Sequence, residues 1–178
     1  MTTYTTPPTA TAGQTLAATD WNTKVRDSIE AAGRPGACRV RRSTSQAVGS
    51  GSISAVVFDV EVYDTGNMWA VGNPSRLTAP VNGIYAITFG AQFAINSTGA
   101  RILFLQKTAS AVTSYAGMFN SVGNATFYLG ATVHAEDTMN AGDYFECMAY
   151  QASGVTLNLD TTVSTYPIWA SMSLIAYT

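Results

Sequence analysis

From residue 37 onwards, apolar residues recur at every second position in short runs that end at clusters of turn-forming residues. In "GIYAITFGAQFAI", Tyr85, Ile87, Phe89, Ala91, Phe93 and Ile95 fall on one face of an extended chain, with small or polar residues on the other. "AVVFDVEVY" sets Val56, Phe58, Val60 and Val62 against Val57, Asp59, Glu61 and Tyr63. Further strands are predicted in "ARILFLQKT", "VTSYAGMF", "ATFYLGATVHA", "DYFECMAYQ", "VTLNL" and "PIWASMSLIAY", separated by "NSTG", "SVGN", "NAGD" and "QASG". About eight to ten short strands without an intervening helix predict an all-β sandwich or barrel. The absence of an exact internal repeat argues against a propeller or β-helix.

Ahead of these strands the pattern changes twice. Residues 1–18 are rich in Thr, Ala and Pro, and Pro7-Pro8 forbids helix, which predicts an extended arm. An arm of this composition is expected to be held by a neighbouring copy or another protein. Residues 19–36 are predicted as one short helix over 19–32 and a linker, with Thr19 as N-cap and with Gly33 and Pro35 as the stop. Trp21, Val25 and Ile29 recur every four residues and form a narrow apolar stripe that must pack on something, since so short a helix is marginal alone. The stripe suits its own domain, a bundle of identical helices or a partner equally well. Residues 37–178 form the third part, the sandwich.

Composition narrows the function. Of 178 residues, 47% are hydrophobic and only 11% charged, the profile of a sheet protein with an uncharged surface, often one that hides surface in an assembly. A net charge of -2 and no basic run beyond Arg39, Arg41 and Arg42 exclude a phosphate-neutralising footprint, so no nucleic-acid partner is expected. No run approaches the roughly eighteen apolar residues of a membrane-spanning helix, and "MTTYTTPPTATAG" lacks the basic start and apolar stretch of a secretory signal. Synthesis in a cytoplasm follows as the expectation. Cys38 and Cys147 fit no metal-ligand spacing; a bridge is open to them if the fold brings their strands together, but in a reducing compartment two buried free thiols are the preferred reading.

Few residues invite chemistry. Asp64-Thr65-Gly66 spells the aspartic-protease triplet, but that reaction needs two carboxylates sharing a proton and this chain has one copy, followed by Asn67, Met68 and Trp69. A turn between strands explains Asp64 and Gly66 better. His134 is the sole histidine; with Glu136 it would share a strand face, but the third ligand of a metal site is missing. Asn96-Ser97-Thr98 and Asn124-Ala125-Thr126 match a glycosylation pattern yet read as polar loops. "AVGSGSIS" lacks the Lys of a phosphate loop and reads as a connector. No catalytic residue, metal site or cofactor is expected. Scattered acids such as Asp59, Glu61 and Asp160 leave room for an oxygen-ligand cation site but form no recognised loop.

Several strings, in order, carry a resemblance: "FDVEVYDTGNMW", the strand entry Pro80-x-x-Gly83-x-Tyr85, "GAR" at residues 99–101, the Gly142-Asp143 turn and Trp169 in the last strand. Together they resemble the jelly-roll domain of the tumour necrosis factor and complement globular-head superfamily, in the version found on bacteriophage particles. "AGQTLAATDWNTKVRDSIEA" resembles the opening of phage structural proteins, where such a leader precedes a particle-surface domain. The resemblance implies a ten-strand TNF-like jelly-roll β-sandwich that associates as a homotrimer. Tyr85, Phe89 and Phe93 would supply core, and Tyr115, Phe119, Phe127, Tyr150 and Trp169 the subunit contact. With no collagen stalk and no secretion signal, it points away from a secreted ligand. It implies instead a non-enzymatic virion protein assembled in a bacterial cytoplasm, decorating the capsid as a cement or head-fibre trimer. Tyr4, Pro7, Pro8, Leu16, Trp21, Val25 and Ile29 would attach it to the major capsid protein or another virion protein. The rival is a tail-associated receptor-binding protein holding host surface glycans on exposed aromatics such as Tyr63, Trp69 and Tyr115.

Overall fold

The computed structural model describes residues 15, 17–26, 36–162 and 167–178. Alternating side chains from residue 37 onwards form two antiparallel sheets that face each other across one core. The first contains β1 (Ala37–Arg42), β2 (Gln46–Val48), β4 (Val60–Asp64), β6 (Gly83–Phe93), β9 (Leu129–Met139), β11 (Leu157–Leu159) and β12 (Ile168–Tyr177). The second contains β3 (Ile53–Ala55), β5 (Arg76–Thr78), β7 (Asn96–Ala109), β8 (Val112–Asn124) and β10 (Tyr144–Gln151). The main path of the seven-stranded sheet is β4-β1-β12-β6-β9, and β11 with β2 takes up the edge of β6 beyond the end of β12. The five-stranded sheet runs β3-β10-β7-β8, with β5 on the same edge of β10 as β3. This is an all-β jelly-roll sandwich.

The predicted core face of β6 is confirmed for Tyr85, Ile87, Phe89, Ala91 and Phe93, all buried. They meet Val40, Ala170 and Met172 from their own sheet and Leu103, Leu105, Phe145, Cys147 and Ala149 from the other. Each large apolar side chain so buried stabilises the fold by about 1.5–3 kcal/mol against exposure. The tyrosine hydroxyl of Tyr85, which such a core must not leave unpaired, donates to the Val81 carbonyl at 2.9 Å.

Three expectations are corrected. Ile95, predicted on the core face, is exposed, because β6 ends at Phe93 and the chain turns before β7. "AVVFDVEVY" is not one strand: β3 belongs to the five-stranded sheet and β4 to the other, so residues 56–59 cross between layers. Along that crossing Val56 N–H donates to the Cys147 carbonyl, Phe58 N–H to Pro74 and Asp59 N–H to Arg41, while Val56 and Phe58 plug the core. Alternation therefore holds through Phe58 and fails at Val62, which is exposed.

The third correction concerns the helix. It begins one residue before the predicted cap: α1 (Ala18–Asp20) starts from Ala17 without a side-chain cap, Thr19 lies inside it, and Trp21–Arg26 continue as a π-helical segment. An apolar Ala at the cap leaves the end to backbone bonds such as Trp21 N–H to the Ala17 carbonyl at 3.1 Å. The remainder of the predicted helix, the arm residues Tyr4, Pro7 and Pro8, and Leu16 and Ile29 lie outside the described residues.

Candidate interaction surfaces

The protease triplet resolves into a turn. Asp64 Oδ1 accepts from the amides of Gly66 (3.2 Å) and Met68 (3.0 Å), and Oδ2 accepts from Trp69 N–H at 2.9 Å. Thr65 pins the same turn to the first residue of β1, its hydroxyl accepting from Ala37 N–H and donating to the Ala37 carbonyl. Asn67 takes a left-handed φ of 52°, a conformation Asn tolerates. A carboxylate already accepting three amide hydrogens is a structural clamp.

The other singled-out groups are similarly occupied. His134 and Glu136 do share a face, with His134 3.5 Å from the Glu136 carboxylate and 3.0 Å from the Thr88 hydroxyl. Among the described residues no three His, Cys, Asp or Glu side chains converge as metal ligands. Asn96 Oδ1 accepts from Thr98 N–H and from Arg101, and Asn124 Oδ1 accepts from the amides of Thr126 and Phe127, so both glycosylation-like triplets are Asx turns. Both cysteines are free and buried. Burial, then the nearby Asp64 and Glu61 carboxylates, push the Cys38 thiol up to about 12, and burial raises Cys147 well above its ordinary range.

What remains is surface. On the outward face of the seven-stranded sheet, the pairing aligns Tyr63, Arg39, Ser171, Thr88 and His134 in one lateral row, and Ala37, Ser173, Ala86 and Glu136 in the next. The centre of this face is built from small side chains and its flanks carry the charges. A third row passes through Trp169 and Gly90. A Cβ on Gly90 would stand 2.5 Å from the Trp169 indole nitrogen, so glycine there makes room for the ring. Arg39 stacks on the same indole, 4.3 Å from the ring centre. Beside it opens a hollow of about 320 Å³ bounded by Gly90, Gly130, Thr132, Pro167 and Trp169.

The aromatics assigned to core and subunit contact separate into three groups. Tyr85, Phe89 and Phe93 lie in the core. Phe119 is half-buried against it, while Trp169 and Tyr150 are half-buried on the outward faces of the seven-stranded and five-stranded sheets. Phe127 (69% exposed) stands in the β8–β9 turn, and Tyr115 (62% exposed) on β8. In the leader, Trp21 is 52% exposed and Val25 half-buried. Of the aromatics considered for sugar stacking, Tyr63 is exposed, whereas the Trp69 indole is tied to the Pro74 carbonyl.

One surface lies outside the sequence-based expectations. Ile53, Ile102, Phe104, Tyr115, Met118 and Tyr150 line a hollow of about 270 Å³ on the outward face of the five-stranded sheet. Its signal is legible in "ILFL", residues 102–105: four consecutive apolar residues in an antiparallel strand put apolar side chains on both faces, where half-buried sheets alternate.

The geometry can be set beside known proteins. No protein-family model matches the sequence, and no curated protein sequence matches it. Among solved structures, the globular domain of zebrafish complement 1qA covers 82% of this chain and all of that domain, at 16% identity and a TM-score of 0.58. The fold is the tumour necrosis factor and C1q jelly roll. Murine APRIL, in a crystal structure at pH 5.0, superposes with a TM-score of 0.62 over 80% of this chain and all of its own, at 9% identity. The jelly roll thus accounts for both sheets, with Trp169 in its last strand and Asp64-Thr65-Gly66 in the turn after β4.

Proposed function

We propose that this chain is a non-enzymatic bacteriophage virion protein, a homotrimeric capsid decoration protein held on the particle by its N-terminal leader. The reading is supported by a TNF/C1q jelly roll preceded by a leader that resembles those of phage structural proteins, with Trp21 more than half exposed. Trp21 and Val25 are the described anchors for a major capsid protein or another virion protein, and Trp21 has the size and exposure of a hot spot.

The flat, small-residue centre of the seven-stranded sheet carries the trimer reading. Ser171, Ser173, Thr88 and Ala86 let a neighbouring subunit approach closely, and exposed Phe127 and Tyr128 in the β8–β9 turn are the apolar groups to place there. Light scattering on the purified chain should give three times the monomer mass, and Ala86→Arg or Ser171→Arg should return it to monomer with unchanged circular dichroism. A wild-type monomer at assembly concentrations would defeat the trimer. Attachment is tested apart from this: deletion of residues 1–36 should abolish occupancy on particles, and unchanged occupancy would refute anchoring by the leader.

A tail-associated role contacting host glycans draws on exposed Tyr63 and Tyr115. It is the weaker reading, since Trp69 is tied down and the hollow beside Tyr115 lacks the carboxylate and amide groups that hold sugars.

A further inference from the structure

The hollow beside Trp169 is left open by the chain itself. Gly90, Gly130, Thr132, Pro167 and Trp169 bound about 320 Å³ on the outward face of the seven-stranded sheet, and none of the described lining residues is charged. Arg39 lies over the indole, 4.3 Å from the ring centre, so the nearest cation is already engaged.

The two glycines of the hollow differ in kind. Gly90 is required by its own chain, because a Cβ there would stand 2.5 Å from the Trp169 indole nitrogen. Gly130 is not. A Cβ added to it would meet only Gln92 Cβ at 3.5 Å and the Ala91 carbonyl oxygen at 3.9 Å, which are ordinary contacts, and its φ is not positive. Glycine weakens a strand and often marks the place where a ligand or another chain comes close. With nothing inside the chain to demand it, Gly130 keeps the hollow clear for a group from outside.

The chain carries a matching knob. Phe127 is 69% exposed, so it does not fill its own hollow, and Asn124 fixes its backbone by accepting from the amides of Thr126 and Phe127 at 2.7 and 2.9 Å. A large apolar side chain held out on a pinned turn has little backbone freedom left to lose on binding. Residues 125–128, Ala-Thr-Phe-Tyr, carry no charge, so neither surface has an ion to desolvate. Height along the strands fits as well. Trp169, Gly90 and Thr132 lie in one row, with Gly130 two residues nearer the β8–β9 turn, and Phe127 follows within about 10 Å along the strand direction. Among the described strands β9 pairs with β6 alone, so its turn stands at the rim of the sheet. Rotation about an axis parallel to the strands keeps every residue at its height, and so brings this rim to the level of the hollow in the next copy.

We infer that the Phe127 side chain of one copy seats in the Trp169 hollow of the next, against Gly130, Thr132 and Pro167. Knob and hollow are separate patches of one chain, so the contact is heterologous and closes as a cycle in which every copy gives one phenyl group and receives one. This rests on the trimer reading and adds to it the side chain and socket that set the register between subunits.

Sedimentation of the full-length protein over a concentration series tests the pair. Phe127→Ala empties the hollow and Gly130→Leu fills it, and each should raise the concentration at which the assembly half-dissociates by on the order of tenfold or more. The double variant should be no weaker than Gly130→Leu alone, because one contact is lost only once. Cross-linking gives a readout in which neither substitution need disrupt the assembly. Chains carrying Phe127→Cys are co-expressed with tagged chains carrying either Thr132→Cys or, on the opposite face, Met118→Cys, and treated with a short bis-maleimide. Cys38 and Cys147 are buried and stay silent. A product joining the two kinds of chain is expected with position 132 and not with position 118. An assembly indifferent to both substitutions, multiplied losses in the double variant, or no product at position 132 would overturn the socket and leave the trimer standing. A wild-type monomer would remove both.

Discussion

Gly99→Ala separates two costs that usually arrive together. Gly99 has φ +75°, and a Cβ built there would lie 1.8 Å from the Ala152 carbonyl oxygen and 2.5 Å from its carbon. Those atoms belong to backbone that cannot give way: Ala152 N–H donates to the Ala100 carbonyl at 3.1 Å, and the adjoining Gln151, fully buried, donates to the carbonyls of Val48 (2.9 Å) and Val155 (2.7 Å). Gly51 is the control, since its φ is +76° and a Cβ added there would meet nothing within 4 Å. Gly51→Ala should therefore cost only the left-handed conformation, about 1–2 kcal/mol. Gly99→Ala adds the displacement of the β10–β11 connection and should exceed about 4 kcal/mol, the range reached only when buried hydrogen-bonded structure is broken. For a chain of this size each kcal/mol shifts Tm by about 2–4 °C, which separates the variants by on the order of 10 °C. Urea titration followed by tryptophan fluorescence, at matched protein concentration because association would move the midpoint, gives the same difference in free energy. Equal midpoints for the two variants would refute the claim that the Gly99–Ala152 approach is rigid.

Other outcomes follow from single contacts. Trp21→Ala should weaken particle binding by about 30-fold or more, the mark of a hot spot of about 2 kcal/mol, with the melting temperature of the sandwich unchanged in calorimetry. Asp64→Ala strands three amides and should cost about 1–3 kcal/mol, whereas Asp64→Asn, which keeps one acceptor oxygen, should cost less and assemble normally. Because the Cys38 thiol is held at about 12 against an ordinary 9.0, the unfolded chain loses that proton first; its share of stability is flat below pH 9 and lost as pH climbs towards 12, so the fall should be shallower in Cys38→Ala, where the raised Cys147 thiol keeps its own share.

The sandwich is legible in the sequence wherever one face meets the core and the other does not. In β6 the two-residue period from Tyr85 to Phe93 marks both the strand and its core face, because burial alone decides the alternation. "AVVFDVEVY" misleads because Val56 and Phe58 are buried while crossing between sheets, and a crossing segment leaves the same apolar spacing as a strand. Gln92 and Gln151 are buried through partners distant in sequence, Gln92 reaching the Asp160 carbonyl and Gln151 that of Val48, which no local window reveals. The outward hollow shows in the sequence only as the unbroken run "ILFL", because Ile102 and Phe104 are as apolar as the core residues Leu103 and Leu105 beside them. A run without alternation states only that both faces are apolar, and the second face becomes visible once the sheet's outer side is known to be bare.

The pairing of the first strand with the last has a practical corollary for anyone fusing cargo to this scaffold. Ala37 lies opposite Ser173, and Tyr177 opposite Gly83, so the start of β1 and the end of β12 lie at the same pole of the sandwich. The opposite pole is formed by the turns after Arg42, after Phe93 and before Leu129. If the leader faces a shell, a tag appended after Thr178 would be crowded against it. A peptide inserted in the turn after Phe93, at the far pole, would be displayed outward, and its position there would be dictated by strand polarity alone.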